Sequence, residues 1–472
     1  MKIFEEEIHL GNQSALHSLD EIAVTKYHWK TVITAGMGFF TDAYDLFIIG
    51  TVTAILTPIW HLNTVQLSLL NSTALLAAVL GAIIFGRLMD KLGRKKMYGI
   101  EVLLLVVGAV LSAFSMNFTQ LLIFRFIVGL GVGGDYPTSS VITAEYANRK
   151  DRGRLVTLVF AMQGIGLVIG PAIAAALLST GLSHAIIWRL MLGIGAIPAA
   201  SVIYLRRKIA ESPRYSFHVQ GDQAQTAQTI KLVTGESVDA LSNAVTTKRH
   251  SIWQRTYLKR LIGTAGSWFL IDIVFYGNGV SSQLLMKNLL PHSSLIQTTL
   301  VSTLIFLIAA LPGYYVAAAF MDRIGRKKIQ WIGFSIMALM YGLISLAPSI
   351  TKVPMLFLLV YAIGFFFVEF GPNTTTFLYP AELYPTDIRG IGHGLSASGG
   401  KLGAFVAAFL FPPLLKSIGL SHLMGILSII AILGVGLTML LPEPKQRALE
   451  ELNEQLGEPS AMNSSHMQKS IS

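Results

Sequence analysis

Trp268, Asp272 and Tyr276 stand at i, i+4 and i+8 in the apolar run SWFLIDIVFYGNG. That spacing puts an indole, a carboxylate and a phenol on one helix face. Indole and phenol donate hydrogen bonds; the carboxylate accepts them, or donates once protonated. Similar groups punctuate other apolar runs: Asp42 and Asp45 in GMGFFTDAYDLF, Glu101 in MYGIEVLLLV, Arg125, Asp135 and Tyr136 in FRFIVGLGVGGDYPTSS, Gln163 in FAMQGIG, Glu369 and Asn373 in VEFGPNTTTF, and Lys401 in ASGGKLGAF. A charge inside a bilayer costs several kcal/mol unless it is paired, neutralised or facing a wet cavity.

Singly, each has a plain structural explanation. Trp268 and Tyr276 suit a membrane interface, Gln163 suits helix–helix bonding, and Asn373 suits backbone freed at the Gly371–Pro372 kink. Arg125 with Asp135 reads as an ion pair, structural or functional. Taken together, several acids, five neutral donors and one lysine suit a water-filled central site better than unrelated packing. Lys401 attracts an anion, and Tyr136, Gln163, Trp268, Tyr276 and Asn373 can donate to it. Asp272 repels a bare oxyanion. It becomes useful if the ligand has a proton to give, as dihydrogen phosphate does, or if Asp272 is itself protonated during binding. Lys401, beside Gly399, Gly400 and Gly403, needs a partner, and Asp45 and Asp135 are the expected ones.

The elements that position these residues are membrane spans. The chain of 472 residues is 53% hydrophobic and 13% charged, against roughly 25% charged for a soluble domain. Apolar runs of the length needed to cross about 30 Å of hydrocarbon are expected near 31–57, 69–89, 98–116, 119–146, 155–178 and 187–205, and again near 261–283, 298–320, 330–348, 354–383, 390–415 and 423–441. The expectation is an all-α membrane protein of twelve helices, with an N-terminal segment 1–30, six-helix halves 31–205 and 261–441, a polar linker 206–260 and a tail 442–472. Lysine and arginine concentrate in the even-numbered connections, which places both termini in the cytoplasm. The net charge of +10 then reflects topology and attraction to anionic lipid rather than nucleic-acid binding. There is no cysteine, so neither disulfides nor thiolate metal sites arise. The acidic opening MKIFEEEIHLGNQ is no cleavable signal.

The halves repeat. GRLMDKLGRKK at 86–96 matches AAFMDRIGRKK at 318–328, aligning Asp90 with Asp322 and Arg94 with Arg326. AEYANRKDRG at 144–153 matches AELYPTDIRG at 381–390, aligning Glu145 with Glu382 and Arg152 with Arg389. Gly86 permits close helix approach, and Asp90 can accept from a neighbouring helix N-terminus when the cytoplasmic side is closed. Two duplicated halves with substrate bound between them is a transporter plan.

These loops resemble the signature of the major facilitator superfamily. AGMGFFTDAYDLF, GGDYPTSS, SWFLIDIVFY and FGPNTTTFLYPAELYPTDIRGIGHGLSASGGKLGA are similar to motifs of the phosphate:proton symporters of fungi and plants. The resemblance implies that Tyr136, Gln163, Trp268, Asp272, Tyr276 and Asn373 contact phosphate, and that Asp45 and Asp135 belong to the proton route with Lys401 near them. Asp42, Glu101 and Arg125 also match family positions, Asp42 as a helper or gate. Two departures stand out: Glu369 replaces an expected neutral residue, and the linker lacks an extended acidic insert.

The expected activity is therefore proton-coupled phosphate symport across the cell membrane by a monomer, with no cofactor beyond the co-transported proton. The alternative is a sugar or organic-anion porter, since ESPRY at 211–215 and LPEPKQRALEE at 441–451 resemble sugar-porter loops. A phosphate sensor would carry a larger cytoplasmic domain. No strand pattern, phosphate-cradling loop or metal-ligand cluster speaks for an enzyme.

Overall fold

The protein is described by a computed structural model covering residues 16–237 and 250–452. The outer parts of the expected N-terminal segment and tail, and the middle of the expected linker, lie outside the described residues. Ten helices are long and apolar enough to cross a membrane, and a bent pair makes an eleventh. The N-terminal half contains α1 (Lys26–Trp60), α2 (Thr64–Leu92), α3 (Arg94–Ala113), α4 (Phe118–Tyr146), α5 (Arg152–Ser179) and α6 (His184–Arg207). The C-terminal half begins with α7 (Arg255–Val280), bent by 61° into Ser282–Leu289, followed by α8 (Leu295–Ile324), α9 (Arg326–Leu346) and α10 (Pro354–Leu383).

The last helix, Arg389–Thr438, runs 50 residues, about 75 Å at 1.5 Å per residue and far more than one crossing requires. It is broken at Gly419, with φ 77° and ψ 172°, a conformation essentially confined to glycine. The break separates α11 (389–418) from α12 (420–438), which completes twelve spans.

Turn chemistry sets the ends. On the face opposite the basic connections, Asn63 and Gln66 form a capping box at α2, Asn117 caps α4, and Ser294 with Gln297 caps α8. Each side-chain oxygen satisfies an orphan N–H of the first turn. On the basic face, Gly93 (φ 98°) and Gly325 (φ 101°) make the same reversal between α2 and α3 and between α8 and α9. The repeat seen in the sequence is thus a repeat of backbone conformation.

Two boundaries differ from expectation and matter. α6 continues to Arg207 and α7 begins at Arg255, so Arg206 belongs to a span rather than to the linker. Its guanidinium points inward and is buried. In the linker, Gln223–Thr234 forms a helix started by the Asp222 side chain.

The halves meet along small residues. A Cβ on Gly86 of α2 would lie 2.6 Å from the carbonyl oxygen of Gly390 on α11, and one on Gly50 of α1 would lie 2.6 Å from the carbonyl oxygen of Val280 on α7. Gly164 of α5 packs on the Tyr314 ring of α8. Such helix–helix approach is how membrane interfaces gain packing without a hydrophobic driving force.

Candidate functional site

The midsection holds three groups of buried ion pairs, together with two acids, Asp42 and Glu369, that no lysine or arginine among the described residues pairs with. In the N-terminal half, Arg125 of α4 donates to both oxygens of Asp45 at 2.7 and 2.6 Å. Arg206 of α6 donates to Glu101 at 2.8 Å and to both oxygens of Asp135 at 2.9 and 3.1 Å. Ser139, one turn after Asp135, donates to it at 2.6 Å. The Arg206 guanidinium also lies 4.4 Å from the centre of the Tyr98 ring. These arrangements correct the expected pairing of Arg125 with Asp135. Both lie on α4, but ten residues of helix separate them by roughly 15 Å.

The central knot belongs to α7 and α11. Lys401 Nζ donates to the Tyr276 hydroxyl at 2.8 Å and to Asp272 at 3.3 Å. Its expected partners, Asp45 and Asp135, are instead bound by arginines. The ammonium also sits 3.9 Å from the centre of the Tyr136 ring, close enough for attraction to the aromatic face. The Tyr136 and Tyr276 hydroxyls are 3.2 Å apart, so a residue of each half touches the other through this pair. Trp268 packs at 5.8 Å from the Tyr136 ring. Gly400 makes room for it, because a Cβ there would enter the indole.

Several polar atoms in this region are buried without a hydrogen bond: Oε1 of Gln163, Nε1 of Trp268, one oxygen of Asp272 and both oxygens of Asp42. The charges of Asp135, Arg206, Lys401 and Asp45 all act on Asp42. On α10, Asn373 donates to Glu369 at 2.6 Å and to the Tyr314 hydroxyl at 2.8 Å. Tyr314 and Arg206 escaped the sequence reading. Tyr314 sits in the ordinary-looking run GYYVAAAF. Arg206 left a usable signal, since Asp42, Asp45, Glu101 and Asp135 had only Arg125 as a cation away from the ends of the N-terminal spans.

Six carboxyl groups, those of Asp42, Asp45, Glu101, Asp135, Asp272 and Glu369, thus share three cations, Arg125, Arg206 and Lys401. Uncompensated buried charge is too costly to leave in place. The midsection therefore has an intrinsic demand for protons, and more so when it takes up an anion. Among the described residues, no group of histidine, aspartate and glutamate side chains is placed to hold a metal ion.

The basic face is shut by reciprocal clusters. Glu145 accepts from Arg94 at 3.0 and 3.1 Å within its own half and from Arg389 of the other half at 2.8 Å. Glu382 accepts from Arg326 at 2.8 and 2.9 Å and from Arg152 of the other half at 2.9 Å. Asp90 accepts from the first turn of α11 at Gly390 N (2.9 Å) and Ile391 N (2.7 Å). Asp322 accepts from the first turn of α5 at Gly153 N (3.2 Å) and Arg154 N (2.6 Å). Carboxylates at helix N-termini meet both free N–H groups and the positive dipole end. Opposite this face, cavities of about 390 and 450 Å³ lie between the halves, the first lined by Thr53, Asn71, Gln283 and Lys287, the second by Lys287 and Lys416 among others.

A sequence model of the family described as "Sugar (and other) transporter" matches residues 22–456. Inorganic phosphate transporter 1-11 of Oryza sativa subsp. japonica is 35% identical over 515 residues, covering 96% of this chain and 92% of its own. Low affinity inorganic phosphate transporter 4 of Lotus japonicus is 35% identical over 508 residues, covering 95% of each. In fold, the chain is similar to the major facilitator superfamily proton:xylose symporter XylE bound to 6-bromo-6-deoxy-D-glucose, with TM-score 0.79 and 19% identity, covering 92% of this chain and 100% of that one. A partially occluded inward-open form of the xylose transporter XylE from E. coli gives TM-score 0.72 at 19% identity, with 90% and 100% covered.

Proposed function

Because the chain belongs to the sugar (and other) transporter family, we propose that it carries inorganic phosphate together with protons across the cell membrane by alternating access. Its relatives in rice and Lotus are named inorganic phosphate transporters, whereas the likeness to the xylose symporter speaks for the fold alone. The observation that carries the reading is the knot of Lys401, Asp272 and Tyr276 against the Tyr136 ring. While Asp272 is ionised, it uses the charge of Lys401. A proton on Asp272 releases the ammonium to an anion, and the same protonated carboxyl can donate to it. Phosphate then takes donors from Tyr136, Gln163, Trp268, Tyr276 and Asn373.

In the N-terminal half, Asp42 is the acid without a partner, and it takes the proton that couples that half to the cycle. Asp45, held by Arg125, and Glu101 and Asp135, held by Arg206, set the field around it. The basic face is cytoplasmic, with Gly86, Asp90, Arg94, Glu145, Arg152, Asp322, Arg326, Glu382 and Arg389 forming the inner gate. The protein works as a monomer carrier rather than an enzyme, with the proton as its only co-substrate.

Labelled phosphate uptake into proteoliposomes tests this. Accumulation against a phosphate gradient is expected when the face opposite the basic loops is acidic, and Asp272→Asn is expected to weaken uptake and blur the rejection of sulfate. Uptake indifferent to the pH gradient, or xylose displacing phosphate, would overturn the reading.

A further inference from the structure

Glu369 is a buried acid that the scheme above leaves without a task. It opens a π-helical turn, Glu369–Asn373, inside α10, a local widening that often marks a functional position. The turn is held in place by backbone contact: Gly371 lies against Gly333 of α9, and Gly313 of α8 leaves room for the Glu369 side chain, since a Cβ on Gly313 would come within 2.8 Å of the Glu369 Cβ. The side chain is fully buried, and no lysine or arginine among the described residues pairs with it. The groups that face it are Asn373 on its own helix, the Tyr314 hydroxyl from α8, Tyr341 from α9, and the carboxyl of Asp272 from α7, whose charge acts on it. One oxygen accepts from Asn373 Nδ2 at 2.6 Å, and the other makes no hydrogen bond.

The amide of Asn373 has two hydrogens. One goes to Glu369 and the other to the Tyr314 hydroxyl. Asn373 therefore has no donor left to offer a phosphate ligand. The bond to Glu369 is strong only while the acid is charged, because an ionised acceptor roughly doubles a hydrogen bond's strength. Protonation weakens that hold and frees one amide hydrogen for a substrate oxygen. It also removes a negative charge that would repel the arriving anion.

We infer that Glu369 is a further proton-binding site beside Asp272 and Asp42, one that takes up its proton together with phosphate by yielding the amide of Asn373. The inference rests on the proposed phosphate site. By linkage, phosphate must then raise the affinity of Glu369 for its proton as much as the proton raises the affinity for phosphate. Asp272 and Asn373 belong to the substrate site itself; Glu369 is a positioning residue acting through Asn373.

The test uses the full-length protein in lipid nanodiscs in weak buffer, with inorganic phosphate added and the pH change read by an indicator dye. Wild-type protein is expected to take up more protons per bound phosphate than Glu369→Gln, by up to one. Its phosphate affinity should also fall more steeply with rising pH, by roughly up to tenfold per pH unit for one linked proton. Glu369→Asn, shorter and likewise uncharged, serves as the second variant should the glutamine pack poorly. The same proton count and pH slope in wild type and whichever variants fold would overturn the inference and leave the phosphate reading standing. Wild-type protein that binds no phosphate would overturn the phosphate reading, and the inference with it.

Discussion

At the scale of the residue, the two acids of α1 look alike in sequence and stand in different circumstances. Asp45 is held bidentate by the single Nη1 of Arg125, while Asp42 has no hydrogen bond. Asp45→Asn strands a buried guanidinium, and breaking such a pair costs about 3–5 kcal/mol. Asp42→Asn strands nothing. The expected outcome is that Asp42→Asn keeps the melting temperature of wild type in detergent and loses gradient-driven accumulation, whereas Asp45→Asn melts earlier and is partly rescued by Arg125→Gln. Equal melting of both single variants would contradict the pairing. Which side chains were buried and polar was legible in the sequence, since each interrupts an apolar run. Who pairs with whom was not, because the pairs join α4 to α1 and α6 to α3 and α4, and such contacts depend on helix rotation and depth that no single run encodes. Lys401 shows the same limit: its need for an acid was readable, but the nearer acid proved to be Asp272 on the adjacent α7.

At the scale of the element, the twelve spans followed from length and apolarity, and most ends lie within a few residues of expectation. The division of the longest helix was legible as well, because Lys416, Ser417, Ser421 and His422 interrupt the apolar run where α11 turns into α12; that a single glycine, Gly419, makes the break was not. A side chain at Gly419 meets no neighbour, so the penalty for Gly419→Ala is backbone strain alone, about 1–3 kcal/mol. Thermal melting should show it, with Gly436→Ala, equally uncrowded but helical, as a neutral control. The α2–α11 crossing behaves differently, since there the obstacle is backbone rather than strain. Gly86→Ala is expected to hold the basic face apart. The chain has no cysteine, so Ser140→Cys, buried beside Phe377 of α10, makes a clean reporter. It should react with a water-soluble thiol reagent in the Gly86→Ala background and stay protected without it; equal protection in both would remove Gly86 from the gate.

At the scale of the whole molecule, the first and last described segments of the chain and the linker are fastened together. Arg214 of the linker donates to Asp20 at 2.7 Å and is paired with Glu450 as well. Burial alone would raise the Glu450 carboxyl, but Arg214 and His218 outweigh it and hold it well below the usual glutamate range. Burial raises Asp20, against the opposing pull of Arg214. A depressed acid contributes stability that is fully present above the ordinary glutamate value of about 4.3 and lost as pH falls through the lower folded value; the raised Asp20 contributes nothing of that sign. Hydrogen exchange at residues 448–452 is expected to stay slow down to about pH 4 and quicken only below it, with Glu450→Gln fast throughout. Exchange that already quickens near pH 6 would assign the fastening to other groups. The reciprocal clusters of the basic face have a kinetic consequence. When the halves part, Glu145 gives up Arg389 but keeps Arg94, and Glu382 gives up Arg152 but keeps Arg326. Arg389 still donates to the carbonyl of Tyr384, within its own half. No carboxylate is ever left alone along the way, so the barrier to opening stays low and the face can shut again as readily as it opened, which sets a floor under the turnover of the carrier.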